Sequence, residues 1–323
     1  MPQPLACAGV GVGMSRTVPT RIPLATLLVA LAAPAAASAA APPQLVPLDA
    51  AKPVAAAASG TTVAWLRQTS KRGDRQLVVR DAGAAAPRVV AQRVPRNAVG
   101  LAIGTDAHDA PTAVLSTSGG RLYRLPLDGS APAARLPSFR AGGHDAAPGL
   151  LHGTVSFVRS TGKGARAHRI LRAAALDGRR STAVTPVAAG YDATETAPLA
   201  GGRIALVAVR VVGYRQWAEL RLVSPEGRRS RVLTRTSAGG AADVGIGPLT
   251  VTPDGNHLTA SRWQEGGGHP WDTTTWHATG RVQERHRQAA PYARELPLGA
   301  EGTAVLDPDL SRDAPRLALI AAH

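Results

Sequence analysis

The chain has little of four things, and each shortage closes off a class of protein. Only one of its 323 residues, Cys7, is a cysteine. Everything after it can form neither a disulfide nor a cysteine-based zinc or nucleophile site. Aromatic residues make up 3% of the chain, so the core must be built from Val, Leu, Ile and Ala. Lysine occurs only at Lys52, Lys71 and Lys163, leaving arginine to carry nearly all of the +15 net charge. Helical periodicity is missing, because prolines and glycines interrupt every window long enough to hold a helix. Mean hydropathy is -0.04, and no long apolar run follows the N-terminal region, which excludes a polytopic membrane protein.

The first residues read as an address. Arg16 and Arg21 form a basic segment, Leu24 to Leu31 an apolar one, and Ala37-Ser38-Ala39 a small-residue cleavage site. Pro34 and the weakly hydrophobic alanines after it argue against an uncleaved anchor. Met14 stands where such a leader would start. Residues 1–41 are therefore expected to be an N-terminal extension and signal peptide, and 42–323 the folded domain. Export without disulfides fits a bacterial route and a periplasmic, cell-envelope or secreted location. The arginine excess has two readings: an anionic partner, or compositional drift spread over a solvated surface.

From Thr62 onward the chain is periodic. Apolar runs such as Thr62-Val63-Ala64-Trp65-Leu66, Thr112-Ala113-Val114-Leu115 and Arg203-Ile204-Ala205-Leu206-Val207 are each followed by a second run. That second run often opens on a basic or acidic residue, as in Arg121 to Leu125, Arg169 to Arg172 and Glu219 to Val223. A turn such as Asp128-Gly129 or Asp177-Gly178 and a short last run complete the unit. The sharpest turn is Thr252-Pro253-Asp254-Gly255. Proline there pre-sets φ, aspartate bonds its own backbone, and glycine accepts a positive φ. A repeat of roughly 40–55 residues in four short strands is the period of propeller blades. A four-stranded sheet cannot cover both its faces alone, so the units must stack. The pattern predicts an all-β chain forming a single β-propeller of about six blades. The last unit is short of strands, and Leu45-Val46-Pro47-Leu48 is expected to complete it.

These Asp-Gly and Pro-Asp-Gly turns before short apolar strands resemble the repeats of TolB-like (WD40-like, PD40-type) β-propellers. Leu306-Asp307-Pro308-Asp309-Leu310-Ser311, followed by Arg316 to Leu319, is similar again. The resemblance implies an exported, protein-binding platform of the cell envelope. The α/β domain that typically precedes the TolB propeller is not expected within these residues.

Candidate functional residues cluster around a glycine-rich stretch: Trp263, His269, Trp271, Asp272, Trp276 and His277. Tryptophan faces beside His and Asp can stack on a sugar or a peptide side chain. The alternative is that Trp263 and Trp276 are strand residues filling the space between units. Asp307, Asp309, Ser311 and Asp313 alternate as in a calcium loop. However, Arg312 takes the glycine position and Ala318 the bidentate-glutamate position, so a turn is the better reading. The nine histidines make no zinc-binding spacing, and no G-x-S-x-G elbow or phosphate loop occurs. No catalytic residue, metal or cofactor is assigned. The expectation is a monomeric, non-catalytic binding or scaffold module for an envelope or extracellular protein, without nucleic acid. The alternatives are a propeller-type lyase or glycosidase and a binder of anionic or carbohydrate polymer.

Overall fold

The computed structural model describes residues 45–320 apart from 50–52, 71, 73, 82, 91–92, 137–141, 163–166, 179, 240–243, 265–271, 288–293, 298–302 and 308–315. For residues 45–47, 263–264, 287 and 294–320 it describes the backbone only. The leader expected over residues 1–41 lies outside the described residues.

The fold is all-β. Helical structure among the described residues amounts to one 3-10 turn, Ala200–Gly202. Strand β1 (Leu45–Asp49) precedes a first group of four: β2 (Pro53–Ser59), β3 (Thr62–Gln68), β4 (Arg75–Arg80) and β5 (Arg88–Val89). Next come β6 (Ala98–Thr105), β7 (Pro111–Thr117), β8 (Leu122–Pro126) and β9 (Ala134–Arg135). The third group is β10 (His144–Leu151), β11 (Thr154–Thr161), β12 (His168–Ala175) and β13 (Thr182–Pro186). Strands β14 (Asp192–Pro198), β15 (Ile204–Val212), β16 (Arg215–Val223) and β17 (Ser230–Gly239) follow. After them lie β18 (Val244–Val251), β19 (His257–Gln264), β20 (Asp272–His277) and β21 (Val282–Arg287). The chain ends with β22 (Arg294–Pro297), β23 (Thr303–Asp307) and β24 (Arg316–Ile320).

Within each group consecutive strands pair antiparallel. The last three strands take β1 as their fourth, in the order β1-β24-β23-β22. Leu45 faces Ile320, Val46 faces Leu319 and Pro47 faces Ala318. The β2–β5 and β18–β21 groups are joined into one eight-stranded sheet by a single parallel pairing, Val251 with Ser59. At that end of the strands β22 therefore does not separate β18 from β2. Equal spacing of like units, which the repeat pattern implies, is not kept there.

The middle strands are apolar on both faces because both faces are covered. In β3, Val63 and Trp65 join a cluster with Leu48 of β1, while Ala64 and Leu66 join the cluster shared with β6 to β8. In β15, Ile204 and Leu206 pack toward β11 and β12, and Ala205 and Val207 toward β18 to β20. Period-2 alternation thus sends successive side chains into two different inter-sheet cores. Stacked four-stranded sheets with their first strands side by side are the arrangement of a β-propeller.

The Pro-Asp-Gly turn forms as its residues dictate. Gly255 sits at φ +72, and its N–H donates to the Thr252 carbonyl at 2.8 Å. The Asp254 carboxylate accepts from Thr252 Oγ1 at 2.5 Å and the Asn256 amide at 3.0 Å. Gly255 also has to be small, since a Cβ there would lie 2.5 Å from Leu151 Cδ2.

Candidate functional site

The first strand of each group is the innermost, and three of these strands are poor in the bulky residues that normally make strands. Strand β2 reads PVAAAAS, β10 HDAAPGLL and β14 DATETAP. Small residues are needed because the inner strands crowd one another. A Cβ on Gly149 would stand 2.3 Å from the Thr196 carbonyl oxygen and 2.8 Å from Pro198 Cδ on the next inner strand. The same approach lets Thr196 Oγ1 donate to the Ala147 carbonyl at 2.7 Å.

Five of these first strands, β2, β6, β10, β14 and β18, carry a register break near their N-terminal ends, whereas β22 pairs with β23 without one. The residues passed over are Val54, Val99, Ala147-Pro148, Thr194 and Gly247-Pro248. A bulge bends its strand and re-aims a side chain. Here the bulged residues Val54, Val99, Pro148 and Pro248 line a channel of 390 Å³ between the inner strands. Among its described lining residues the titratable one is Glu195, whose Oε2 accepts the Leu249 N–H at 2.6 Å. Gly247 makes way for that carboxylate, since a Cβ there would fall 2.3 Å from Glu195 Oε1. The lining is otherwise mainly small and apolar. It offers a shape and one carboxylate rather than an acid–base pair. Among the described residues no group of three His, Cys, Asp or Glu side chains is placed to hold a metal.

In an antiparallel four-stranded sheet, the connection between the second and third strands emerges at the end where the first strand begins. The bulges and these hairpins therefore share one face, called here the bulge face. The first-to-second and third-to-fourth connections share the opposite, or turn, face. On the bulge face the β15–β16 hairpin stands out. Its exposed positions include Val211 at 62%, Val212 at 50% and Tyr214 at 86%. The two-residue connection Gly213-Tyr214, with Gly213 at φ +58, closes it beyond the Val212–Arg215 pair. Its base is held firmly. Arg210 lies 5.8 Å over the Tyr191 ring, and Gln216 Nε2 donates to the Val244 carbonyl at 2.7 Å. Glu219 is buried and accepts from Arg221 at 2.6 Å, Arg235 at 2.8 Å and the Tyr191 hydroxyl at 3.3 Å.

The six residues singled out in the sequence do not form one cluster. His269 and Trp271 lie outside the described residues. Trp263 is on β19 with its backbone opposite Gly245, and its side chain is also outside them. Asp272 opens β20 and is engaged by Arg262 through two hydrogen bonds, one of 2.6 Å, with Arg285 at 3.7 Å. Trp276 is buried at 1% exposure among Leu220, Leu222 and Leu258, where its ring fills inter-sheet space and presents no face to a ligand. His277 meets His257 edge-on at 5.8 Å and its Nδ1 lies 2.9 Å from Thr279 Oγ1. Asp272 and His277 stand at opposite ends of β20, roughly 16 Å apart on strand geometry. The Tyr214 hairpin was not singled out. Its only signal was a Gly-Tyr pair interrupting two β-prone runs.

No family model matches the chain, and no curated protein does. Among solved structures, a protein of unknown function from Dyadobacter fermentans is similar at 10% identity and TM-score 0.51, over 86% of this chain and 97% of that one. The fucose-specific lectin from Aleuria aurantia is similar at 11% identity and TM-score 0.48, over 86% and 99% of the two chains. The Cps50 (Swd1) β-propeller domain from Myceliophteria thermophila is similar at 10% identity and TM-score 0.46, over 87% and 100%. At such identities the likeness is one of fold.

Proposed function

We propose that the chain is an exported, non-catalytic binding module that captures a protein partner on its bulge face, with Tyr214 as the anchor. The observation that carries this reading is the β15–β16 tip. Val211, Val212 and Tyr214 are exposed together on a hairpin whose base is pinned by Arg210, Gln216 and Glu219. A rigid aromatic on a preorganised tip loses little entropy on binding, which is how interface hot spots act. The channel lining, small and apolar with Glu195 committed to the Leu249 amide, supports a binding rather than a catalytic use of this face. Trp271 is proposed as a second anchor. The reading includes six TolB-like blades, the last made of β22 to β24 and closed by β1. It also includes delivery by the leader and action as a monomer in the periplasm, cell envelope or outside the cell.

The test is capture from envelope extract by the wild-type protein and by a Val211→Ser/Tyr214→Ser variant. The proposal expects a protein retained by the wild type and lost by the variant, with both melting alike. Equal retention by the two would refute it. For export, residues 14–43 fused to a reporter should carry it across the membrane, with the mature N-terminus near Ala40. A leader kept intact on a membrane-bound product would refute that part.

A further inference from the structure

The turn face carries a feature independent of the bulge face. There the β14–β15 connection, the β16–β17 turn and the β20–β21 turn come together. Arg203, Arg228, Arg229 and Arg231 line a shallow cavity of 680 Å³ with Ser224 and Thr279 beside them. Three stretches distant in sequence supply these residues, and the cavity straddles the seam between two sheets.

The four arginines differ from their neighbours in having no counter-charge among the described residues. On the same sheet Arg221 and Arg235 both pair with Glu219. On the next sheet Arg262 and Arg285 both pair with Asp272. Arg203, Arg228, Arg229 and Arg231 make no ion pair among the described residues. Glu226, on the turn that carries Arg228 and Arg229, pairs with none of them. The nearby Asp254 carboxylate is already taken up by Thr252 and Asn256.

The turn itself is fixed. Ser224 N–H donates to the Arg229 carbonyl at 2.9 Å, and Arg229 N–H to Ser224 Oγ at 3.3 Å. Gly227 lies so close to the preceding sheet that a Cβ would fall 1.7 Å from the Val184 carbonyl oxygen. Concentrated like charge on a fixed backbone raises the local potential for an anion without having to order the loop first.

Guanidinium groups match the oxygens of phosphoryl groups in paired, charge-assisted hydrogen bonds, and the serine and threonine hydroxyls add neutral donors. The cavity is open and shallow, so it suits successive groups along a chain rather than one enclosed ion. Among the described residues no aromatic ring lines it. A single-stranded nucleic acid would find guanidinium planes there but no aromatic platform among those residues, so a polymer without bases fits the lining better. We infer that this cavity binds a linear phosphate-bearing polymer without bases, its phosphoryl groups seated among Arg203, Arg228, Arg229 and Arg231.

The experiment titrates the full chain with long-chain inorganic polyphosphate, and in parallel with poly-glutamate and single-stranded DNA of matched charge. Two variants are compared, each lowering the net charge equally. One changes Arg203, Arg228, Arg229 and Arg231 to Gln. The other changes Arg93, Arg121, Arg124 and Arg135, exposed on or beside the β6–β9 sheet, to Gln. Melting curves establish that both fold. The first variant should bind polyphosphate about tenfold or more weakly, with a log K against log salt slope shallower by about three. The second should bind nearly as the wild type does, and wild-type binding should be strongest to polyphosphate. Equal losses in the two variants would mean only bulk charge, and stronger binding of DNA or poly-glutamate would mean a different ligand; either result overturns the inference. The Val211→Ser/Tyr214→Ser variant should keep its polyphosphate binding, so this proposal and the protein-capture reading fail or stand separately.

Discussion

The indole Nε1 of Trp65 on β3 donates to the Asp49 carboxylate of β1 at 2.8 Å. Arg67 Nη1 reaches the same oxygen at 3.1 Å. Trp65 is fully buried, so its N–H has no solvent to turn to. Because β1 hydrogen-bonds to the C-terminal strand, this contact fastens the last sheet to the first group. Asp49→Ala should lower stability by about 1–3 kcal/mol, the cost of leaving a buried donor unmet. Deleting residues 42–49 should cost several kcal/mol, since it also bares the edge of β24 and the apolar face over Trp65. Denaturant unfolding of both variants is the measurement. No loss for the deletion would refute a fastening role for β1.

Trp276 and Tyr214 make a matched pair for separating core from surface. Trp276→Ala should destabilise the fold by about 3–5 kcal/mol, as expected for emptying a buried aromatic site. Tyr214→Ser, at a position 86% exposed, should move stability by no more than about 0.5 kcal/mol. Thermal melts of the two variants, side by side, decide it.

Asp254 gives a pH dependence whose sign can be worked out. Hydrogen bonds from Thr252 first, and then from Asn256, lower its pKa to about 2. A carboxyl group whose folded pKa is depressed adds stability above its unfolded pKa, near 3.9, and loses it as pH falls through the folded value. The increment should therefore disappear between about pH 4 and pH 2. For an exposed turn it should be about 1 kcal/mol or less after solvent screening. Comparing the urea midpoint of the wild type at pH 5 and pH 2 with that of Asp254→Ala isolates it. The variant should lack this part of the acid sensitivity, and an identical pH profile would refute the assignment.

Asp145 and Arg159 form a buried pair across β10 and β11, with two hydrogen bonds of 2.7 and 2.8 Å. The Arg159 guanidinium, held by Asp145, has its pKa raised against the opposing effect of burial. Asp145→Ala leaves a cation in a 9%-exposed site and should cost about 3–5 kcal/mol. Asp145→Leu combined with Arg159→Met should recover much of that loss. If the double variant is no more stable than Asp145→Ala, the pair's worth lies in something other than charge compensation.

Much of the fold could be read from residue order because its cause is local. The turn at Pro253-Asp254-Gly255, and apolar runs such as Val63 to Leu66 and Ile204 to Val207, announce turns and strands by chemistry within a few residues. A four-stranded sheet cannot cover both its faces alone, and the separate cores around Trp65 and Leu206 show sheets stacked on one another. The inner strands escaped that reading. A pattern search values Val, Ile and aromatics, but where inner strands converge, as at Gly149 against Thr196, only small residues fit. Alanine-rich β2 therefore looks like a linker until its neighbours are in place.

The candidate sites divide in the same way. Residues close in sequence, Asp272 and His277, end up at opposite ends of one strand because a strand carries its residues apart. Residues distant in sequence, Arg203, Arg231 and Thr279, end up around one cavity because turns from adjoining sheets emerge on the same face. Local order thus determined strand, turn and layer. Only the packing of one sheet on the next decided which side chains became core, which were left exposed, and which positive charges were left without a partner.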